Sequence, residues 1–193
     1  MATTQTNLQY DLAVVIWDLG GPDQLVLGTS EIPTKGGSRA RYTEEFWGPT
    51  YDQYGNTPVD QIKVGESVEA TVNMAGFNLE TFAKIFPAAD LHTDPTDPTK
   101  KVVRFGGRIG ESMLAYARTL TFRRVTLFDP DDEKLGDASQ DVTILKALPR
   151  ADMEITFAPQ QERTYPVTFI GVVDREKGGK VLSFGDESVP YQS

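Results

Sequence analysis

The chain has no cysteine and a single histidine among its 193 residues. Disulfides, thiolate metal sites and cysteine nucleophiles are thereby excluded. His92 sits in Leu91-His92-Thr93-Asp94-Pro95, a proline- and aspartate-rich stretch in which a lone imidazole is ordinarily solvated rather than catalytic. Basic residues are the minority: 19 Lys and Arg stand against 28 Asp and Glu, giving a formal net charge of −9. No run of Lys and Arg is dense enough to make a nucleic-acid footprint, so the linear sequence does not point to phosphate binding. Long apolar runs are missing as well. No window approaches the ~18 residues of a membrane span, and Met1 to Tyr10 has neither the basic nor the apolar segment of a secretion signal. The expectation is a soluble protein with no membrane partner.

Alternating strand patterns are abundant. From Ile62 the even positions carry Ile62, Val64, Val68, Ala70, Val72 and Met74, and the odd positions carry Lys63, Gly65, Ser67, Glu69, Thr71 and Asn73. Glu66 is the one exception. Period-2 alternation over this span predicts a long strand with one face buried and the other wet. Asn78 then offers an N-cap, Leu79, Phe82, Ala83 and Phe86 follow at helical spacing, and Pro87 ends the helix. A helix of about two turns is marginal alone. Leu79, Phe82 and Phe86 are therefore expected to dock on a sheet.

Further strands are read at Leu12 to Leu19, returning through Leu25 to Gly28 as a hairpin, at Lys101 to Phe105, and at Leu114 to Phe128 with a bulge at Arg123-Arg124. The C-terminal third reads as Gln140 to Leu148, a turn at Pro149 to Asp152, Met153 to Ala158, Tyr165 to Val173, and Val181 to Phe184. Two stretches lack periodicity. Residues 29–58 read as a long loop holding Arg39, Arg41, Tyr42, Phe46, Trp47, Tyr51 and Tyr54, too aromatic for disorder and in need of a packing partner within the domain or on a neighbouring subunit. Residues 88–110 hold a loop from Ala88 to Thr99 and a glycine cluster at Gly106-Gly107 that lacks the ending of a phosphate-binding loop.

The sum is a single domain over residues 1–193, mainly β, an antiparallel sandwich or half-barrel with one short α-helix. No constellation of catalytic groups emerges, so the protein is not expected to be an enzyme, and no cofactor is called for. The acidic run from Asp129 to Asp137 invites a calcium reading, but its spacing does not match a ligand loop and a solvated turn is the default. Long strands with one polar face leave unpaired margins. Closing a sheet removes them, and a ring of copies can achieve that closure collectively.

Asn56 to Val72 with Leu79-Glu80-Thr81-Phe82, and the closing run from Val142 through Phe157 to Phe169, resemble the tail tube protein of long-tailed bacteriophages. The resemblance covers about two thirds of the chain and is one of polar and apolar pattern; residues 88–110 fit it least and read as an insertion. It implies a virion protein of the tail, made in the host cytoplasm, whose hexameric rings stack into a hollow tube that conducts the genome. It further implies that Lys63, Ser67, Glu69, Thr71 and Asn73 face the lumen and that the 29–58 loop contacts the next ring. The implied partners are copies of itself, other tail components such as tape measure, terminator and baseplate proteins, and DNA passing without specific binding. An acidic lumen would repel phosphates within a Debye length of ~8 Å. The alternatives are another tail ring component, terminator or baseplate, and a carbohydrate-binding sandwich using Trp17 or Trp47 as a stacking platform.

Overall fold

The computed structural model describes residues 13–76, 78–127, 134–150 and 163–191. The chain is mainly β with one α-helix. In order it forms β1 (Ala13–Trp17), β2 (Leu25–Leu27), β3 (Thr34–Trp47), β4 (Ile62–Met74), α1 (Leu79–Ile85), β5 (Ala89–Thr93), β6 (Lys101–Phe105), β7 (Arg118–Leu127), β8 (Lys134–Leu135), β9 (Val142–Arg150), β10 (Tyr165–Gly171) and β11 (Leu182–Phe184). Every pairing is antiparallel. Nine strands form one sheet in the order β2-β1-β7-β9-β10-β4-β3, with β11 and β8 attached to β9 and β7, while β5 and β6 pair separately.

The large sheet curls over its own core. Trp17 of β1 and Phe169 of β10 lie 5.3 Å apart between ring centroids, although two strands separate β1 from β10 in the sheet order. In a flat sheet three strand spacings of ~4.8 Å would hold those rings ~14 Å apart. The contact therefore requires the sheet to bend into a half-barrel. Its interior is filled by Val15, Trp17, Leu27, Val68, Val72, Leu120, Ile144, Val167 and Phe169 among others.

The helix closes one end of this core. Asn78 accepts a hydrogen bond from the Glu80 N–H at 2.9 Å, as a cap should. Phe82 meets Tyr165 of β10 edge-on at 5.5 Å, and Phe86 meets Phe105 of β6 at 5.5 Å. Burial of Phe82, Ile85 and Phe86 stabilises the packing by about 1.5–3 kcal/mol per side chain, enough to hold a helix of seven residues. Leu79 is only half-buried, and Ile85, which the helical spacing did not single out, takes its place in the core.

Several expectations are corrected. Ala89–Thr93 is a strand rather than loop, paired with β6 to make a hairpin over the helix; its four residues after Ala89 are exposed, so no alternation marks it. β7 begins at Arg118, after a 3-10 turn over Met113–Tyr116. Its irregularities fall at Arg118/Leu120 and Val125/Leu127 rather than at Arg123-Arg124. β9 runs through Pro149 to Arg150, where a turn was expected, and Pro149 pairs with Phe169. The predicted strand Met153 to Ala158 and the acidic residues Asp129 to Glu133 lie outside the described residues.

Candidate functional site

The 29–58 stretch, expected to lack regular structure, holds the longest strand among the described residues: β3, of 14 residues, pairs with β4 along nearly its whole length. The lack of a periodic pattern in β3 has a physical reason. No residue of β3 is fully buried, so neither face needed apolar side chains. Arg39, Arg41, Tyr42, Phe46 and Trp47 all lie on this strand. Tyr51 and Tyr54 lie beyond it, at the tip, where a 3-10 turn spans Asp52–Tyr54. The two halves of the tip are stitched by the Val59 N–H donating to Pro49 O at 3.0 Å. Gly48 lies so close to Pro58 that an added Cβ would sit 2.9 Å from the proline Cβ.

The β3–β4 ribbon has a rooted half and a free half. At its root Val68, Ala70, Val72 and Met74 point into the core. Beyond Val68 no core remains beneath it, and Ile62, Lys63 and Val64 are exposed. Cross-strand partners share a face. Ala40 opposite Ala70, Tyr42 opposite Val68 and Glu44 opposite Glu66 therefore continue the core-side face outward. Arg39 opposite Thr71, Arg41 opposite Glu69, Thr43 opposite Ser67 and Glu45 opposite Gly65 form the open face.

Two irregularities interrupt this ladder. Near the root, Gly36 and Gly37 take left-handed φ of 83° and 79°, letting β3 insert extra residues between Thr34 and Ser38. Near the tip, Glu45 faces Gly65 but Phe46 faces Lys63, so Val64 is an extra residue on β4. One inserted residue reverses the sidedness of everything beyond it. Lys63 is thereby turned to the core-side face and parts from Ser67, Glu69, Thr71 and Asn73, with which simple alternation had grouped it.

There Lys63 enters a charged cluster. Its ammonium donates to Tyr42 Oη at 2.8 Å, to Glu44 Oε1 at 2.7 Å and to the Glu66 carboxylate. The phenol oxygen also lies 2.7 Å from Glu44 and 2.8 Å from Glu66, and its single proton serves one of them. Lys63 holds both carboxyls below their ordinary range, assisted by Tyr42. Glu44, then Glu66 and Tyr42, raise the Lys63 ammonium in return. For Tyr42, the lowering effect of Lys63 is outweighed by the two carboxylates and its pKa rises. The Glu66 exception in the strand pattern is thus explained: it marks where the apolar core ends and a solvated ion cluster takes over the same face.

The open face extends across four strands. Arg39, Thr71 of β4, Thr168 of β10 and Arg150 of β9 form one continuous cross-strand row, and Arg41, Glu69, Ile170 and Leu148 form the next. Asn73 lies beside the row, its Nδ2 donating to Gly37 O at 3.4 Å, at the edge of a cleft of about 290 Å³ lined by Gly36, Gly37, Ser38, Arg39, Thr71 and Asn73. Among the described residues the charge on the face is mixed: Arg39, Arg41 and Arg150 stand against Glu45 and Glu69.

Among the described residues neither margin of the four-strand region is fully paired with a strand, although the 3-10 turn Met113–Tyr116 approaches β9 at one of them. β3 pairs on one side only. Beyond Ala147, β9 pairs with β10 alone, because its ladder with β7 ends at Arg118 opposite Ala147. Pro149 fits such a margin, since a proline without an N–H is tolerated on edges. Trp17, offered as a stacking platform for sugars, is buried in the core, whereas Trp47 is 57% exposed near the ribbon tip with Phe46, Tyr51 and Tyr54.

Fold and site together define an antiparallel, curled β domain with one capping helix and a long, two-sided ribbon whose margin has no partner among the described residues. No family model and no curated protein sequence matches the chain. Among solved structures it is similar to a chain of "Virion of native gene transfer agent (GTA) particle", with a TM-score of 0.42 and 10% identity over 89% of this chain and 94% of that chain. A superposition at that score is too loose to carry a role from one molecule to the other.

Proposed function

We propose that the protein is a structural subunit of a virion tail, a non-enzymatic building block whose copies close into rings and stack into a hollow tube. The observation that supports this reading is β3, 14 residues long, exposed on both faces and, among the described residues, unpaired along one margin. An uncovered strand of that length is a template for another chain, and the charges of β3, Lys35, Arg39 and Arg41 with Glu44 and Glu45, are of both signs, so they can be matched by a partner strand. In this reading β3 of one copy joins the free margin of β9 at Leu148 to Arg150 in the next. Repeated by rotation, this heterologous contact closes into a ring, and the β3-β4-β10-β9 face becomes its inner wall. Ser67, Glu69, Thr71 and Asn73 then line the lumen. Phe46, Trp47, Tyr51 and Tyr54 at the ribbon tip form the apolar contact to the adjoining ring, because a cluster of exposed rings of this kind marks an interaction surface.

The test uses two single-proline variants of adjacent β3 positions, Ala40→Pro and Arg41→Pro. Successive residues of an edge strand direct their N–H groups to opposite sides, so one variant removes a bond to β4 and the other removes an outward donor. Sedimentation over a concentration series, with thermal melts alongside, separates the two. The reading expects one variant that melts like the parent yet no longer associates. Association of both variants at parental strength would overturn it.

A further inference from the structure

The open face carries an arginine pattern that no linear run of the sequence displays. Arg39 and Arg150 occupy the two ends of one cross-strand row, with Thr71 and Thr168 between them. Three strand spacings of ~4.8 Å put their backbones at most ~14 Å apart, measured along the sheet. Arg41 lies two residues further along β3, ~6.8 Å from Arg39 at ~3.4 Å per residue. All three side chains belong to exposed residues. Among the described residues, none of the three makes a hydrogen bond or an ion pair, whereas Arg118, Arg123 and Lys63 are all engaged by carboxylates. Even Glu69, directly opposite Arg41, forms no bridge with it. Among the described residues these guanidinium groups have no side-chain partner, on a face that also carries Glu45, Glu69, several hydroxyls, the Asn73 amide and a small apolar patch.

We propose that this face contacts the phosphate backbone of duplex nucleic acid, weakly and without sequence preference, through Arg39, Arg41 and Arg150. The inference rests on the reading above that the face lines a conduit for a genome, and it reverses the sign of the wall's interaction with that genome. Guanidinium forks match phosphate oxygens geometrically. The separation of at most ~14 Å between Arg39 and Arg150 is close to the ~12 Å width of the major groove, so the pair can meet phosphates that flank one groove. Thr71 and Thr168 between them present hydroxyls, which contact phosphates without reading bases. With only three cations and an overall charge of −9, the contact is a low-affinity one. Such contacts hold a passing duplex centred without arresting it.

The experiment measures fluorescence anisotropy of a labelled 20-base-pair duplex against the full, unassembled chain at 20 to 200 mM salt. Three phosphate contacts predict a log–log salt slope of about −2.7, which is a loss of roughly 500-fold in affinity over that range. The triple variant R39Q/R41Q/R150Q is expected to weaken binding at 20 mM salt at least tenfold, and each single variant to reduce the slope by about one. A control of equal charge, K84Q/R175Q/K180Q, removes cations from the helix and from the turn after β10 and is expected to change the affinity less than twofold. No binding at 20 mM salt, or an equal loss in the control, overturns the inference. Because association of copies is read separately by sedimentation, tubes without duplex binding sink this inference alone, and duplex binding without association sinks the assembly reading alone.

Discussion

Phe46 of β3 stands opposite Lys63 of β4, one position out of step with the ladder that pairs Glu45 with Gly65. Val64, the residue left over, is 62% exposed. This single insertion takes Lys63 off the open face and delivers it to Tyr42, Glu44 and Glu66. The expected outcome is checked by NMR titration of the glutamate carboxyls. In the parent, Glu44 and Glu66 titrate below ordinary glutamates, because Lys63 and then Tyr42 hydrogen-bond to their charged forms. In Lys63→Met both midpoints rise, and in a variant lacking Val64 they stay low, since Lys63 keeps its pairing with Phe46. Had Lys63 stayed on the open face, its removal would leave Glu44 and Glu66 unmoved.

The same cluster fixes a pH dependence. The folded-state pKa values of Glu44 and Glu66 are depressed, so their contribution is fully present above the ordinary glutamate range and disappears as pH falls through the lowered values. Loosening of the free half of the ribbon is therefore expected on the acid side from the two glutamates, and again only in strong base, where the raised Lys63 and Tyr42 would have to give up their protons. Hydrogen exchange of the β3–β4 amides between Tyr42 and Phe46 should accelerate relative to the rooted half as pH falls below the ordinary glutamate range, once corrected for intrinsic rates. Uniform behaviour of the two halves would contradict this.

Arg123 forks both nitrogens onto Asp141, at 3.0 Å from Nε and 2.6 Å from Nη2, and the aspartate side chain is only 3% exposed. Replacing Asp141 by alanine leaves a largely buried guanidinium without its partner. A loss of about 3 kcal/mol is expected from urea unfolding, the lower end for a broken buried pair because Arg123 keeps some access to water. A loss below about 0.5 kcal/mol would show that water replaces the carboxylate.

The bend of the sheet depends on Trp17 meeting Phe169. Phe169→Ala opens a cavity at the centre of that contact and should cost about 3–5 kcal/mol. Trp17→Phe should cost clearly less, because the indole Nε1 is buried without a hydrogen-bond partner among the described residues and its loss forfeits only area. Denaturant midpoints of the two variants decide the order.

How much of this was legible in the sequence depended on which residues had to be apolar. β4 was read with its observed bounds because its root is buried on one side, and α1 because Asn78, Phe82 and Pro87 punctuate it. β3 and β5 were invisible: their side chains meet water on both faces or nearly so, and their structure comes from backbone pairing with a neighbour. The bulge at Val64 left a trace, in that Glu66 breaks the alternation and the strand beyond it carries Val64 and Ile62 with no core to enter. The arginine row had no linear signal at all. Arg39, Arg150 and their two threonines come from four strands, and only the register of three ladders brings them into line.

The most direct test is negative-stain electron microscopy of the purified chain as its concentration is raised. The account predicts hollow tubes of uniform width built from stacked rings. Discrete rings that never stack would point instead to a terminator or baseplate component, and isolated monomers at every concentration would contradict self-assembly through the open margin of β3.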